Sequence, residues 1–295
     1  MAKGRQLKGR IRSVQNTRKI TKTMELVATS KLKRAQDRVV AARPYAAALR
    51  EVISDLMTPE LAEQFPLLRR PAAPSKGGPR RAAVILLTSN RGLAGGFNAN
   101  LIKEARRRIE ALEGEGFTPE LHVVGKKGVG YFKYVGRALA TARQDIGDRP
   151  TAEHAAELVA PLIEAYERGE LASVDLVQAI FQSAISTPPG TVRILPVEAP
   201  AAGKGTRTAR PYLLEPGADA ILAKLLPLYV RNAMYRGLVE TAASEHGARR
   251  TAMKNATDNA GEILEVLKRT YNRQRQAAIT QEISEIVGGA AALQG

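Results

Sequence analysis

The sequence predicts an α/β protein: a long antiparallel coiled coil of the N- and C-terminal helices, joined to a central α/β domain. At both ends of the chain, apolar residues recur at steps of three or four over tens of residues. This narrow stripe is typical of a coiled-coil seam. Between the ends, apolar runs of strand length alternate with helical patterns, which favours an α/β domain. The predicted parts are 1–58, 59–211 with its flanking linkers, and 212–295.

The N-terminal stripe runs for roughly 50 residues, or about 75 Å of helix. Its apolar members are Leu7, Ile11, Val14, Met24, Ala28, Leu32, Ala35, Val39, Ala42, Ala46, Leu49, Ile53 and Leu56. Between Val14 and Met24 the stripe positions are polar, at Thr17 and Thr21, which predicts locally weakened winding. Pro44 lies inside the pattern and predicts a kink or a loosened turn.

The central block contains four strand candidates and two helix candidates. The strands are 82–88, 121–124, 174–181 and 192–197; one helix has Leu101, Ile102, Ala105, Ile109 and Leu112 on one face, and the other spans 152–166. This alternation favours a largely parallel, Rossmann-like sheet. Stretches rich in Pro, Gly and Arg at 69–81 and 199–211 are predicted loops or linkers.

A second stripe follows in the last segment. Its members are Tyr235, Val239, Ala242, His246, Arg249, Met253, Ala256, Ala260, Ile263, Leu267, Tyr271, Gln274 and Ala278. A helix of roughly 70 residues spans about 105 Å, longer than the first. The block between the two helices returns the chain, so an antiparallel pair is the simplest closure, with one end of the longer helix projecting alone.

The charge and the residue composition limit which partners and which kinds of site the chain can have. The formal charge is +16, and residues 1–34 hold eleven Lys or Arg against one acid, Glu25. Such a basic arm faces nucleic acid, a lipid surface or an acidic protein, or stays solvated. There is no cysteine, and the three histidines are far apart without metal-ligand spacing, so we predict no disulfide, thiol switch, metal site or cysteine nucleophile. Nothing resembles a signal peptide or a membrane span.

Two glycine-rich segments could be taken for phosphate-binding loops. The first, 89–98, has glycines at 92, 95 and 96, which fit neither the dinucleotide pattern nor the P-loop. The second, 125–131, also lacks the P-loop ending. We interpret both as tight structural turns and predict no cofactor.

Two alternative functions stay open at this point: a basic coiled-coil nucleic-acid binder, and a nucleotide-using enzyme built on the α/β block. The first 44 residues contain no aromatic ring for base stacking, which speaks against a reader of single strands. A binder would lose affinity steeply with salt, and an enzyme would bind or hydrolyse ATP alone.

Four segments resemble the ATP synthase gamma family. They are 11–33, the glycine-rich stretch 91–98, 253–259 and the C-terminal 279–292, and the resemblance extends over nearly the whole chain. In the central loop, relatives often have Asp where Asn90 stands and Cys where Ala94 stands. The cysteine-bearing regulatory insert of chloroplast relatives is missing.

The resemblance implies a non-catalytic rotor shaft of an F-type ATP synthase. The alpha and beta subunits would form a ring around it, and the epsilon subunit and the membrane c-ring would lie at its base, on the cytoplasmic face of the bacterial plasma membrane. No nucleic acid and no direct membrane insertion are expected. The residues carried over as partner contacts are Lys22, Met24, Lys31, Lys33, Arg249, Arg275, Gln276 and Thr280. The lysines and Met24 match the zone that meets acidic segments of beta, and the others match polar contacts higher on the shaft.

Overall fold

The computed structural model describes residues 2–56, 59–69, 71, 80–183, 185–197, 215 and 217–292. Its elements are α1 (Ala2–Leu56), α2 (Pro59–Gln64), β1 (Arg81–Leu87), α3 (Phe97–Gly114), β2 (Thr118–Val124), α4 (Lys126–Tyr134), β3 (Thr141–Arg143), α5 (Ala152–Glu167), β4 (Leu171–Ala179), β5 (Pro189–Leu195) and α6 (Ala218–Ala292). The four predicted strands, the two central helices and both long helices are confirmed. The predicted linker at 199–211, and residues 70 and 72–79 of the one at 69–81, lie outside the described residues.

The chain divides into two compact units. The terminal unit comprises 1–28 and 250–295, and the central unit comprises 29–249. Both long helices therefore contribute to both units. This division cuts the helices themselves, whereas the predicted boundaries at 58/59 and 211/212 touch residues outside the description, so those boundaries stay predictions.

The sheet of the central unit has the strand order β3-β2-β1-β4-β5. β1 pairs in parallel with β2 and with β4, and β2 pairs in parallel with β3. Among the described strands, β5 alone runs antiparallel, beside β4. The predicted largely parallel sheet is confirmed.

β1 is buried on both faces and separates two apolar cores. Ala83, Ile85 and Leu87 face the core that contains α5 and the sheet-proximal parts of α1 and α6. The alternate residues of the strand face the core formed with α3 and α4. Because successive side chains of a strand point to opposite faces, a continuous apolar run is required here, and that run made the strand predictable.

The segment 125–131, predicted as a turn, is mostly helical. Gly125 precedes α4 with φ of +101°, a conformation that favours glycine. The N–H of Gly128 donates to the Thr88 hydroxyl at 3.0 Å, and a Cβ at Gly128 would lie 2.8 Å from that oxygen. Because neither glycine has a side chain, α4 can pack closely against the end of β1.

The long helices run antiparallel in each unit. In the terminal unit, Thr257 donates to the Thr21 hydroxyl at 2.8 Å, while Gly261 lies beside Arg18. In the central unit, Ala35 and Val39 pack against Val239 and Ala243, and α1 residues nearer its end share a core with the first turns of α6. Thr21 is buried, so the polar gap in the predicted seam is closed by a hydroxyl pair. At the next turn the structure buries Leu264 and leaves Ile263 half exposed, which corrects the predicted stripe at that position.

Candidate partner interface on the two long helices

Arg249 belongs to the central unit and is held inside the fold. Its guanidinium donates to the Glu245 carboxylate at 2.5 Å and to the carbonyl oxygen of Gly92 at 3.3 and 3.4 Å. The Arg249 and Glu245 side chains are only 12% and 11% exposed, so salt screens this ion pair weakly. Arg249 therefore fastens the glycine-rich loop to α6.

A second anchor centres on Asp148, in the loop between β3 and α5. Lys31 of α1 donates to the Asp148 carboxylate, and Arg38 donates to the Asp148 carbonyl oxygen at 3.2 Å. The Nε2 atom of His246, on α6, lies 4.0 Å from the same carboxylate. We call Lys31, Asp148, Glu245, His246 and Arg249 the polar junction. It ties α1, α6 and two loops of the sheet to one another within the central unit.

Burial sets the protonation of the junction. It lowers the pKa of His246 to about 4, against the opposing effect of the Asp148 carboxylate. Burial also raises the pKa of Glu245, while Arg249 opposes that rise. For Asp148, burial alone would raise the pKa, but the hydrogen bond from Lys31 and nearby positive charge outweigh it and lower the pKa. At neutral pH the junction therefore holds a neutral His246 beside an ionised Asp148.

The polar groups of the glycine-rich loop form hydrogen bonds within the fold. The side-chain oxygen of Asn98 accepts from the Ser89 N–H at 3.0 Å, and the Ser89 hydroxyl donates to the Arg91 carbonyl at 2.6 Å. Leu93 has φ of +62°, an uncommon conformation for a residue with a side chain. The loop is a tight strand-to-helix turn, as predicted.

Asn90 has a role that the sequence did not predict. Its amide nitrogen donates to the carbonyl oxygens of Gln144 and Ile146 at 3.1 and 2.9 Å, and its amide oxygen accepts from the Lys126 N–H at 2.9 Å. A carboxylate cannot donate a hydrogen bond. The departure from the aspartate expected at this position therefore matches an amide-specific contact.

The remaining predicted residues of α1 lie mainly on the surface. Lys22 donates to Glu25 at 3.2 Å and is 56% exposed; Lys33 donates to Asp37 at 2.9 Å and is 75% exposed. Met24 is partly buried. Lys22 and Met24 belong to the terminal unit, whereas Lys31 and Lys33 belong to the central unit. Of these four, the structure assigns only Lys31 to the polar junction.

Arg275, Gln276 and Thr280 lie on an uncovered part of α6, in the terminal unit. The Thr280 hydroxyl donates to the Gln276 carbonyl, one turn earlier in the same helix. Between residues 265 and 288 every side chain is exposed except Leu267 and Tyr271, which are partly buried. Large apolar side chains at the surface of this stretch are Val266, Ile279, Ile283, Ile286 and Val287.

The histidines have structural contacts. His154 forms a reciprocal cap with Thr151 at the start of α5, and His122 lies 3.0 Å from the Thr141 hydroxyl between two strands. Within the described part of the chain, no group of three or more His, Cys, Asp or Glu residues is arranged to hold a metal ion. Among the same residues, none of the helices combines the length and the apolar character that crossing a bilayer requires.

Comparisons with known proteins agree with one another. A family model described as ATP synthase matches residues 3–293. An ATP synthase gamma chain from Gemmatimonas aurantiaca is 62% identical over 295 residues, and the alignment covers 100% of both chains. One from Leptospira biflexa is 42% identical over 293 residues, with 99% of this chain and 100% of the relative covered.

Similarity to a solved structure supports the fold. A chain of the Euglena gracilis mitochondrial ATP synthase, in a structure of its OSCP, F1 and c-ring parts, superposes with a TM-score of 0.69 at 20% identity, covering 99% of this chain and 95% of that one. Together with the match along almost the entire sequence, these findings show that the chain belongs to the ATP synthase gamma chain family.

Proposed function

We propose that this chain is the central rotor shaft of an F-type ATP synthase. In this role, rotation of an ion-driven c-ring turns the chain inside a ring of alpha and beta subunits, and the turning changes the affinity of the beta sites for ADP, phosphate and ATP. The epsilon subunit and the c-ring would bind its base. The complex would lie on the cytoplasmic face of the bacterial plasma membrane, with this chain as a peripheral component.

The observation that supports this proposal most directly is the uncovered stretch 265–288. Ile279, Ile283 and Ile286 are exposed there. Within its own unit, this part of α6 has nearly every side chain exposed to solvent. Burying an apolar side chain of this size is worth about 1.5–3 kcal/mol, so a contiguous set marks a surface that a partner covers. An apolar sleeve in a surrounding ring would provide that cover.

The proposed contacts divide by chemistry. Lys22 and Lys33 present positive charge that suits acidic segments of beta, and such contacts gain from charge complementarity while remaining reversible. Arg275 and Gln276 present donors that suit carboxylates and carbonyls. Arg249 remains a proposed partner contact, although its guanidinium already binds Glu245 and Gly92.

We infer that the chain itself is not catalytic. The glycine-rich loop occupies the position where many α/β enzymes bind phosphate. Here its groups bond to Asn98 and Arg249. A shaft would act instead through shape: a single asymmetric helix pair cannot offer the same side chains to three surrounding sites at once, so each site is held in a different state.

Arg275→Ala in the assembled complex tests the proposal. Arg275 is exposed, so we expect the unfolding free energy of the isolated chain to change by less than about 0.5 kcal/mol. Loss of a charge-assisted hydrogen bond to the ring, worth about 1.5–3 kcal/mol, would lower ATP synthesis about tenfold or more.

Arg273→Ala is the matched control, since Arg273 is also exposed on α6 but was not predicted as a contact. It should retain most of the activity. Unchanged turnover in Arg275→Ala would refute the proposed contact of Arg275 with the ring, and an assembled ring that couples to ion flow without this chain would refute the rotor function.

A further inference from the structure

A half-enclosed cleft of about 590 Å³ lies between α1, the β4–β5 edge and α6, all within the central unit. It shares no residue with the polar junction. On the α1 side, Arg43, Ala46, Ala47 and Arg50 line it. Their spacing of three, four and seven places them on one helix face, and the small alanines leave space between the two arginines.

The α6 side repeats this arrangement. Tyr229, Asn232, Ala233, Arg236 and Glu240 line the cleft, again at helical spacing on one face. Arg236 donates to Glu240 at 3.2 Å, one turn along the helix. Among the described residues that line the cleft, Glu240 is the one acid, and it is already paired. This side therefore contributes an aromatic ring and an amide to a site without free negative charge.

The positive charge of α1 is not compensated in the same way. Arg193 of β5, which also lines the cleft, binds Asp175 at 3.0 Å. Arg43 and Arg50 are exposed, and in the part of the chain that the structure describes neither forms a hydrogen bond or an ion pair. Seven residues of helix separate them by about 10 Å along the axis. Two guanidinium groups thus flank a concave surface, with donors available for an anion.

Apart from Arg193 and one further polar residue, the strand wall between the helices is apolar. Leu176 and Ile194 are buried there. Gln178 lies beside them and is also buried, yet its side-chain oxygen has no hydrogen-bond partner among the described residues. Buried polar groups in proteins are normally paired. This oxygen lies against Gly237 of α6, so the amide would bind a ligand group in the cleft only after a rotation of the side chain.

We propose that this cleft binds a phosphorylated organic anion of about nucleotide size. Phosphate groups would bind Arg43 and Arg50, because guanidinium forks match phosphate oxygens. The organic part would lie against Tyr229 and the apolar wall, within reach of Gln178. A volume of about 590 Å³ falls in the range typical of small-molecule sites. A convex, solvated arginine face would have neither the apolar wall nor the enclosure.

Calorimetric titration of the purified full chain tests the site, with ADP and inorganic triphosphate as probes. We expect saturable binding that weakens as salt is raised. Arg43→Gln and Arg50→Gln should each weaken it about tenfold. Arg34→Gln is the matched control, because Arg34 is an exposed arginine of α1 that does not line the cleft, and it should bind like the parent chain. Circular dichroism checks that all three variants stay folded.

Each outcome decides something. Tighter binding of ADP than of triphosphate supports the proposed organic anion, whereas equal or weaker binding of ADP would contradict the proposed contacts of its organic part. The proposal is also wrong if neither probe saturates at about 1 mM, or if Arg34→Gln weakens binding as much as the cleft variants do. The isolated chain is used without ring subunits, so these results are independent of the proposed rotor function.

Discussion

Arg249→Ala separates a structural role of this residue from a role in partner contact. The resemblance to gamma chains made Arg249 a predicted partner contact, whereas the structure pairs it with Glu245 and with the carbonyl of Gly92. If the intramolecular contacts dominate, the isolated chain should lose stability when the guanidinium is removed. If the residue acts only on a partner, the isolated chain should be unaffected.

The magnitude follows from what happens to Glu245. Without its partner, this buried carboxylate can avoid an uncompensated charge by taking up a proton. At pH 7 protonation costs at most about 3 kcal/mol, since the ordinary pKa is 4.5 and each unit is worth about 1.4 kcal/mol. The lost hydrogen bond to Gly92 adds about 1 kcal/mol. We therefore expect a loss of up to about 4 kcal/mol at pH 7.

The sign of the pH dependence is fixed by the same reasoning. Removal of Arg249 raises the Glu245 pKa further, so between pH 4.5 and that raised value the folded variant binds a proton that the unfolded chain does not. The variant gains stability relative to the parent as pH falls. At pH 5 the expected loss shrinks to about 2 kcal/mol.

Urea unfolding of the isolated chain at pH 7 and pH 5 measures these values. In a Glu245→Gln background the charge penalty disappears, so Arg249→Ala should cost only about 1 kcal/mol there. Arg231→Ala, an exposed position on the same helix, serves as the control and should change little. A loss below about 0.5 kcal/mol in Arg249→Ala, or the same loss in both backgrounds, would refute the argument.

Two further predictions concern the central unit. Gly125→Ala should cost about 3–5 kcal/mol, because a Cβ there would lie 2.1 Å from the Thr88 carbonyl oxygen at a φ of +101°; Gly136→Ala, at a φ of +76° in open space, should cost about 1 kcal/mol, and equal urea midpoints would contradict this. The pKa of His246 is about 4 in the folded chain against 6.5 ordinarily, so its contribution is complete above pH 6.5 and falls by up to about 3 kcal/mol as pH drops towards 4. His246→Gln should flatten that fall relative to the parent, and parallel stability curves would contradict the assigned burial effect.

Most of the fold could be predicted because its elements depend on local periodicity. The apolar run of β1 and the stepped stripes of α1 and α6 are visible in the sequence itself. α4 was missed because Gly128 and Gly130 lower helix propensity, and only contact with Thr88 explains the first of them. β3 is three residues long and mostly exposed, so it leaves no apolar pattern. Apolar spacing of three or four residues does not show whether Ile263 or Leu264 faces the partner helix, because both positions are consistent with helical spacing.

The site was predicted less completely, for a different reason. Exposure of Arg275 and its neighbours agrees with a helix that a partner covers. The bond between Lys31 and Asp148 joins residues 117 positions apart, and no local pattern in the sequence reports such a distance. Asp148 lies in an irregular loop, and Glu245 looks like any acid of a long helix. Their roles arise only from the packing of α1 and α6 against the sheet.

The polar junction also has a mechanical consequence for a shaft. Near the junction, α1 and α6 meet through the small side chains of Ala35, Val39, Val239 and Ala243, and the partly buried Tyr235 and Phe181 pack against this cluster. Small residues repeated at helical spacing do little to stop one helix from sliding along the other, because neighbouring registers of the helix pair bury similar areas of apolar surface. A shift of α1 would break the bond from Lys31 to Asp148, and a shift of α6 would break the bonds from Arg249 to the Gly92 carbonyl, at a cost of about 1 kcal/mol for each hydrogen bond. The junction therefore makes the register of the two helices specific at the point where the proposed rotor has to pass torque between its helices and its sheet.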